Sequence, residues 1–406
     1  MRFLFCTIAL HGFVYPAIGI ALQLQRRGHE VAFVTGPDFR AVIEEHGLRF
    51  IPFTREERST FSMRTAGHPF ALGLQVAHIE HALARFPAQA LLTSEMALGS
   101  LIAAERCGLP VAVLGLAASL LPDDEHKLFA PTTKAERESA FRYMQMTQLY
   151  RQVRTIYGLP DYSEDLKHTP LLGDLFLLQS IPELQVPGQV LPERVRLVGS
   201  CLWEPSLHDE GLQRWLATKM GEEPLVYIQL GRFFGNPCFW PMLSAVLRKR
   251  PVRAVIAAGR TDIELGEIPE RWLLQRHVPQ GPVLRCARAV ITNGHTTPVL
   301  GALSTGIPSL LLPSGSGTDE TAEVCVRAGV ALREDPPSLD AGILERAVDR
   351  LLADSQLLQA ARRIQRAFAR YDGPRLAADH LEQLALAARP TGNGDVPAAA
   401  LGMGRR

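Results

Sequence analysis

The chain alternates short, continuously apolar runs with longer stretches of helical periodicity, and this alternation constrains its fold more than any other feature. Strands buried on both faces of a parallel sheet read as unbroken Val, Leu and Ile runs, because helices cover both faces. The runs occupy residues 2–8, 31–35, 48–53, 90–94, 110–116, 174–180, 195–200, 225–231, 253–259, 272–278, 288–293 and 308–313. The pattern therefore predicts an α/β protein built from parallel sheets.

The length of the chain favours two domains. A chain of 406 residues with 47% hydrophobic content suits two domains of about 200 residues better than one. Strand signals lapse near residues 201–222, where Pro, Glu and Asp collect, and residues 390–406 are rich in Gly and Pro without an apolar period. We predict domains at 1–204 and 223–389, a linker at 205–222 and a disordered tail at 390–406. Three helical stretches are predicted after the last strand, at residues 339–353, 355–371 and 375–388.

Charge and cysteine usage narrow the class of partner. The chain has 43 basic and 42 acidic residues, a formal charge of +1, and no Lys/Arg run that indicates nucleic acid or a membrane surface. Its six cysteines are scattered singly, as expected for reduced thiols in the cytoplasm. No apolar stretch reaches the roughly 18–20 residues that span a bilayer, and residues 1–10 read as a strand, not as a signal peptide. We expect a cytoplasmic protein with a small-molecule partner.

Polar loops follow several of the predicted strands. In open α/β sheets, ligands bind at the carboxyl ends of the strands, so these loops are the places to look for a site. They comprise residues 9–15, 94–96, 116–126, 231–237, 278–280, 293–297 and 314–319. Pro16 follows the first of these loops and is predicted to be the first residue of a helix.

The loop at residues 293–297, Asn-Gly-His-Thr-Thr, lies between an apolar strand and a helix. Thr297 precedes Pro298 and is predicted to cap this helix, whose free N–H groups and positive dipole end would point into the cleft. A diphosphate could be held there by backbone amides, and Gly294 would permit its close approach. The simpler alternative is an ordinary capped helix, which explains the Thr and Pro residues but not Asn293 or His295.

Two long stretches of the sequence resemble one family. "HVPQGPVLRCARAVITNGHTTPVLGALSTGIPSLLLP" is similar to the donor-binding signature of the natural-product and UDP-glycosyltransferase superfamily, and "HGFVYPAIGIALQLQRRGHEVAFVTGP" is similar to its opening strand, loop and helix. The resemblance implies the GT-B fold, with two doubly wound Rossmann-like domains facing across a cleft. It also implies an inverting, metal-independent glycosyltransferase that uses a dTDP- or UDP-sugar as co-substrate and no other cofactor. A homodimer is compatible with this resemblance.

The resemblance assigns donor-binding roles to residues at four strand ends. The backbone around Val278 would read the pyrimidine base, with His277 where the family often has an aromatic ring, and Gly231 and Arg232 would contact the diphosphate. The full donor set is Gly231, Arg232, His277, Val278, Gln280, Asn293, Gly294, His295, Thr296, Thr297 and Asp319.

The chain departs from the family at the catalytic base. Phe13 occupies the position of the family's His, and a phenyl ring cannot accept a proton. His11, two residues earlier, is the first candidate for the base, although a structural or acceptor-lining histidine is the simpler interpretation. Glu95 is the candidate for an orienting or alternative acid/base group. Asp123 and Asp124 lie in an acceptor loop, where a solvated loop is the simpler interpretation.

The donor side departs from the family as well. Asn293-Gly294-His295 replaces His-Gly-Gly, and Gly301 replaces an acidic residue that holds the ribose hydroxyls in the family. Gly317 and Thr318 replace a sugar-reading Asp-Gln pair, although Asp319 follows directly. A deoxysugar has fewer hydroxyls to hold, so these losses favour a dTDP-deoxysugar as donor.

The acceptor is expected in the first domain, lined by Phe13, Phe61, Met63, Phe70, Asp124 and Met144. The alternative function is a degenerate GT-B protein without sugar transfer, which acts as a partner of an active glycosyltransferase or carries out another reaction on a bulky metabolite in the same cleft. An NAD-binding enzyme is disfavoured, since no G-x-G-x-x-G follows a strand. A zinc site at His78 and His81 lacks a third nearby ligand.

Overall fold

The structure is a computed structural model that describes residues 1–53, 60–122, 124–162, 165–206, 209–218, 223–231, 238–259, 263 and 265–388. The helices and strands in these ranges form two lobes, each a parallel sheet with helices on both faces. This confirms the α/β class and the two doubly wound units. No helix among these residues combines the length and the apolar content needed to cross a bilayer.

The first lobe contains a seven-stranded sheet. Its strands are β1 (Arg2–Cys6), β2 (Glu30–Val34), β3 (Arg49–Phe50), β4 (Ala90–Ser94), β5 (Val111–Leu114), β6 (Leu175–Leu178) and β7 (Val195–Leu197). Its helices are α1 (His11–Arg26), α2 (Arg40–Glu45), α3 (Pro69–Arg85), α4 (Gly99–Arg106), α5 (Glu125–Phe129) and α6 (Lys134–Ile156). The strands are all parallel, in the order β3-β2-β1-β4-β5-β6-β7. Helices α3, α4 and α6 cover one face, and α1 covers the other.

The second lobe contains a six-stranded sheet. Its strands are β8 (Leu225–Gln229), β9 (Arg253–Ala257), β10 (Trp272–Gln275), β11 (Ala287–Thr292), β12 (Ser309–Leu311) and β13 (Ala331–Arg333). The remaining helices are α7 (Glu210–Ala217), α8 (Phe239–Arg248), α9 (Gln280–Leu284), α10 (Thr296–Thr305), α11 (Thr318–Arg327), α12 (Ala341–Ala353), α13 (Ser355–Phe368) and α14 (Gly373–Ala387). The strand order is β10-β9-β8-β11-β12-β13, again all parallel. All the predicted apolar runs form strands; β13 was not predicted.

The strand order reverses once in each sheet, between β1 and β4 and between β8 and β11. Crossover connections run in opposite directions from such a point, so the loops at the carboxyl ends of the two central strands separate and leave a crevice. His11 and Glu95 follow β1 and β4, and Gly231 and Asn293 follow β8 and β11. The fold thus places the predicted catalytic and donor residues at the two crevices.

Helix α1 begins earlier than the sequence predicted. It starts at His11, whereas the pattern placed Pro16 at the first helical position, and Pro16 lies inside the helix. Proline lacks the N–H that would bond to the Gly12 carbonyl four residues back, so one helical hydrogen bond is lost close to the helix start. Residues 11–15, predicted as part of a loop, are therefore helical and bring the start of α1 into the cleft.

The last helix, α14, returns to the first lobe after the second lobe is complete. Its apolar face, with Leu381 at its centre, lies in the same core cluster as Ile18 and Leu24 of α1. Arg27, the C-cap residue of α1, forms ion pairs with the carboxylates of α14 residues Asp379 and Glu382, each at 2.7 Å. By its contacts, α14 is part of the first lobe.

Candidate active site

The starts of helices α1 and α10 face each other across the gap between the lobes. A methyl group built on Gly12 would lie 3.4 Å from the hydroxyl oxygen of Thr297, so the two segments are close to van der Waals contact. The hydroxyl of Thr296 accepts a hydrogen bond from the Ala117 amide of the first lobe at 3.4 Å. The 293–297 loop therefore opens onto the first lobe.

Asn293 shapes this loop from within. Its side chain is fully buried, its Nδ2 donates to the Ser314 carbonyl at 3.2 Å, and its Oδ1 accepts from the His295 amide at 3.4 Å. The ring of His295 lies close to Gly231, where an added methyl group would be 3.2 Å from Nδ1. Asn293 thus connects the loop to Ser314, which follows β12. Both polar atoms of its side-chain amide form hydrogen bonds within the protein.

Gly294 turns the chain into α10. Its φ is +86°, and a methyl group on it would lie 2.9 Å from the Thr318 carbonyl oxygen. His295 then adopts extended geometry and is the N-cap residue, so α10 begins at Thr296 and the prediction that Thr297 is the N-cap is wrong. The tight turn at Gly294 is the reason, because it completes the change of direction two residues earlier than the Thr-Pro pair indicates.

The backbone N–H groups at the start of α10 have no side-chain acceptor among the described residues. Among the described residues, no side chain caps this helix, and its first turn has no acidic residue. The first backbone N–H groups of a helix lack partners within the helix and carry the positive end of its dipole. An anion at this point would accept hydrogen bonds from the amides of Thr296 and Thr297.

Gln280 occupies the space beside Gly301. A methyl group on Gly301 would lie 3.2 Å from both terminal atoms of the Gln280 amide and 2.6 Å from Leu284. The Nε2 of Gln280 donates to the Thr297 carbonyl at 3.4 Å, while its Oε1 is buried without a partner among the described residues. A larger residue at this position would displace the side chains of Leu284 and Gln280, and Gln280 brings an acceptor oxygen to the same place.

His11 and His277 face each other from opposite lobes. Their ring centroids are 6.4 Å apart, and both residues are exposed. His11 is the first residue of α1 and packs edge-on against Tyr15 and Phe39, at centroid distances of 4.9 Å and 5.1 Å. His11 is therefore an acid/base side chain at the cleft surface, next to the start of α10.

Asp319 does not face an open cleft. It is 2% exposed and forms an ion pair with Lys134 of the first lobe at 3.1 Å and a second with Arg333. Next to it, Glu320 pairs with Arg142 of α6 at 2.7 Å, and Arg142 also donates to the Ser316 hydroxyl at 2.8 Å. These contacts join α6 to the start of α11, so Asp319 is held between two cations.

Glu95 is buried behind the 116–121 loop. It is 2% exposed, and its Oε1 accepts from the Leu120 amide at 3.2 Å, whereas Oε2 has no partner among the described residues. Burial raises the pKa of Glu95 to about 7, against the opposing effects of the Leu120 hydrogen bond and the nearby Arg142 charge. The group is a carboxyl that titrates near neutrality but does not reach the cleft surface.

The raised pKa predicts a pH-dependent effect of Glu95→Gln. The folded protein holds a proton on Glu95 more tightly than the unfolded chain, so this contribution to stability is present below pH 4.5 and is lost as the pH rises through about 7. Above pH 7 the buried charge costs on the order of 3 kcal/mol, which the neutral amide avoids. In urea unfolding, Glu95→Gln should therefore gain stability relative to wild type between pH 5 and pH 8. If Glu95→Gln and wild type differ in stability by the same amount at pH 5 and at pH 8, the prediction is wrong. The same pH trend in the exposed control Glu210→Gln would also contradict it.

Three of the six predicted acceptor residues share one core cluster, and the other three lie at its surface or elsewhere in the first lobe. Phe13 and Met63 pack half-buried against the core cluster beneath α3, and Phe61 is 1% exposed within that cluster. Phe70 is 68% exposed, and Asp124 caps α5 by accepting from the Lys127 amide at 2.8 Å. Met144 is 53% exposed and lines a cavity of about 980 Å³ along α5 and α6.

Some predicted features lie outside the described residues. These are Arg232, Asp123 and the tail at 390–406. Within the described ranges, no group of three or more His, Cys, Asp or Glu side chains could hold a metal ion. His78 is a buried residue whose ring is tilted by 31° against the ring of Phe53, with centroids 4.5 Å apart.

Two sets of polar contacts near the site join residues that are far apart in the chain, and no sequence pattern predicts them. Glu204, which follows β7, accepts from the amides of Gln280 and Gly281, and Arg142 reaches Glu320 across the lobes. The paired residues are 76 and 178 positions apart in the chain, and no local pattern links them.

Two family models match the chain, one in each lobe. Residues 6–114 match the glycosyltransferase family 28 N-terminal domain, and residues 252–384 match the erythromycin biosynthesis protein CIII-like C-terminal domain. The chain is 26% identical to 4'-demethylrebeccamycin synthase of Lentzea aerocolonigenes, over 94% of this chain and 99% of that protein. It is 24% identical to oleandomycin glycosyltransferase of Streptomyces antibioticus, over 93% of this chain and 89% of that protein.

Solved structures show the same two-lobe fold. The glycosyltransferase of kitacinnamycin superposes with a TM-score of 0.76 at 20% identity, covering 94% of this chain and 98% of that chain. The calicheamicin glycosyltransferase superposes with a TM-score of 0.71 at 24% identity, with the same coverage of both chains.

Proposed function

Because the chain belongs to the natural-product glycosyltransferases of GT-B fold, we propose that it moves a sugar from a dTDP- or UDP-linked donor to a natural-product acceptor, with inversion at the anomeric carbon. The observation that carries this proposal is the uncapped start of α10, which faces α1 across the gap between the lobes.

In this proposal the diphosphate lies at the start of α10. The amides of Thr296 and Thr297 donate to its oxygens, and the helix dipole favours its negative charge. The close packing of Gly294 against Thr318 fixes the turn from which these amides project. Because these donors are already in place before the reaction, they stabilise the departing diphosphate without reorganisation.

The nucleoside lies along the 277–280 turn. The described structure records no hydrogen bond to the N–H or C=O of Val278, so this pair can meet the imide edge of thymine or uracil. The exposed His277 ring lies beside it. The unpartnered Oε1 of Gln280 is an acceptor for a ribose hydroxyl and takes over the role that Gly301 cannot fill.

The contacts of Asp319 favour a deoxysugar over a fully hydroxylated hexose as the transferred sugar. Asp319 is buried, and its two carboxylate oxygens face Lys134 and Arg333, so it is not exposed to the hydroxyls of a sugar in the cleft. A donor with fewer hydroxyls needs fewer such contacts. This supports dTDP-deoxysugars as the preferred donor class.

His11 is the proposed general base. It is exposed in the cleft and adjacent to Gly12, which contacts the start of α10, whereas Glu95 is buried. The imidazole removes the proton from the acceptor nucleophile, which forms a bond to the anomeric carbon as the carbon–oxygen bond to the diphosphate breaks. The electron pair of that bond leaves with the diphosphate. Attack from the first lobe and departure into the second give inversion.

Nucleotide binding tests the proposal most directly. Isothermal titration of the full chain with dTDP and with UDP should give a Kd in the micromolar range for at least one, which corresponds to about 8 kcal/mol of binding free energy. Turnover should then be seen with dTDP-deoxysugars and a panel of polyketide and aromatic acceptors. Absence of binding at millimolar concentrations of both nucleotides would reject the proposal and favour a degenerate protein that acts as a partner of an active enzyme.

A further inference from the structure

Trp203 and Glu204 are consecutive residues of the segment that leaves the first lobe. Trp203 contacts the first lobe, and Glu204 contacts the second. Trp203 packs edge-on against Tyr15 and His46 of the first lobe, at centroid distances of 5.4 Å and 4.9 Å. A methyl group on Gly19 of α1 would lie 3.0 Å from its Cβ. Trp203 is therefore fixed on the first lobe, and the direction of Glu204 is set with it.

The carboxylate of Glu204 is bound to the second lobe at the start of α9. Its Oε2 accepts from the Gln280 amide at 3.0 Å, and its Oε1 accepts from the Gly281 amide at 2.7 Å. Two hydrogen bonds from consecutive amides to one carboxylate fix both the position and the orientation of the turn. The absence of a side chain at Gly281 is required for this contact, since a methyl group there would lie 2.5 Å from the Glu204 Oε1.

The turn held in this way is connected directly to the 293–297 loop. Gln280 donates through its side chain to the Thr297 carbonyl in the first turn of α10. Leu284, at the other end of α9, fills the space at Gly301 in the middle of α10. A shift of the 277–280 turn would therefore change its distance from the start of α10.

We propose that Glu204 is a positioning residue for the nucleotide donor, which holds the 277–280 turn at the separation from α10 that a nucleoside diphosphate spans. This inference rests on the proposed function, because it assigns the two ends of that separation to the base and the diphosphate. Glu204 itself does not contact the nucleotide. Its role is to fasten the base-binding turn to the lobe that holds the acceptor.

The test combines two variants that break the same contact from opposite sides. Glu204→Ala removes the carboxylate, and Gly281→Ala places a methyl group where Oε1 lies. Each should raise the Kd for dTDP or UDP, whichever wild type binds better, by about ten-fold, since two charge-assisted hydrogen bonds are lost. The double variant should show the same loss of about ten-fold and not about a hundred-fold, because residues that act through one contact are not additive.

Two further measurements separate positioning from general damage. Glu204→Gln keeps one acceptor oxygen but turns an amide NH2 toward the other backbone N–H, so it should recover only part of the affinity. The donor KM should rise in Glu204→Ala while kcat changes little. Glu210→Ala, an exposed carboxylate in the first turn of α7, is the matched control and should bind like wild type. Thermal unfolding of each variant checks that it is folded at the assay temperature.

The outcomes distinguish this inference from the function on which it rests. A wild-type protein that binds neither nucleotide would remove the proposed function and this role with it. If wild type binds but Glu204→Ala binds equally well, or if the double variant shows additive losses, the positioning role is overturned while the function stands.

Discussion

A His11→Gln variant is expected to lose between about 10²- and 10⁴-fold in kcat, the range that a general base contributes when it removes a proton in the transition state. Its affinity for the nucleotide should stay within about three-fold of wild type, because His11 lies on the first lobe and the proposed donor contacts lie on the second. Glutamine retains the polarity of the side chain but accepts a proton far less readily than imidazole. Steady-state transfer rates and nucleotide titration on the same preparation measure the two quantities.

The matched control is His168→Gln. His168 is an exposed histidine that pairs with Asp165 on the surface of the first lobe, and its replacement should leave kcat unchanged. A loss in Glu95→Gln that exceeds the loss in His11→Gln would instead assign the base to Glu95. That result would require the 116–121 loop to open during turnover, because Glu95 is buried in this conformation.

Substitution of Gly294 is expected to weaken nucleotide binding in proportion to the size of the new side chain. Alanine at a φ of +86° is strained, and its methyl group would stand 2.9 Å from the Thr318 carbonyl, so the 293–297 loop must move away from α11. We expect Gly294→Ala to raise the nucleotide Kd by about ten-fold and Gly294→Val by more than about a hundred-fold, since a β-branched residue is excluded from this backbone region. Titration of both variants gives the graded series.

A second glycine separates this effect from general backbone strain. Gly28 has a φ of +80°, but no heavy atom lies within 4 Å of the position that a methyl group would take, so Gly28→Ala carries the strain without the collision. It should lose some stability and no nucleotide affinity. Equal losses of affinity in Gly28→Ala and Gly294→Ala would show that the 293–297 loop has no special role in binding.

The alternating pattern of the sequence was sufficient to predict the two sheets. Strands such as β4 and β11 are buried on both faces, and such strands have unbroken apolar sequences that are easily recognised. The strand β13 was not predicted, because it is three residues long and ends at Arg333. The predicted helix starts were wrong at α1 and α10, because Pro16 and Pro298 read as start signals, whereas the turns that precede both helices come earlier.

The contacts that surround the candidate site could not be predicted in the same way. Gly301 reads as the loss of a ribose-binding acid, and only the three-dimensional structure places the Gln280 amide beside it. Asp319 reads as a free carboxylate at a helix start, but Lys134 reaches it from the other lobe. Such pairs depend on how the lobes meet, and a single sequence carries no periodicity that reports this.

The return of α14 has a consequence for engineering. The polypeptide passes between the lobes twice, once after β7 and again before Gly373, where a methyl group would collide with the Ser200 carbonyl of the outgoing segment. The second lobe is thus, in topological terms, an insertion within the first. A hybrid enzyme that exchanges second lobes between relatives needs two junctions. One cut near residue 204 would leave α1 of one parent against α14 of another, with Arg27 facing carboxylates that the new partner need not supply.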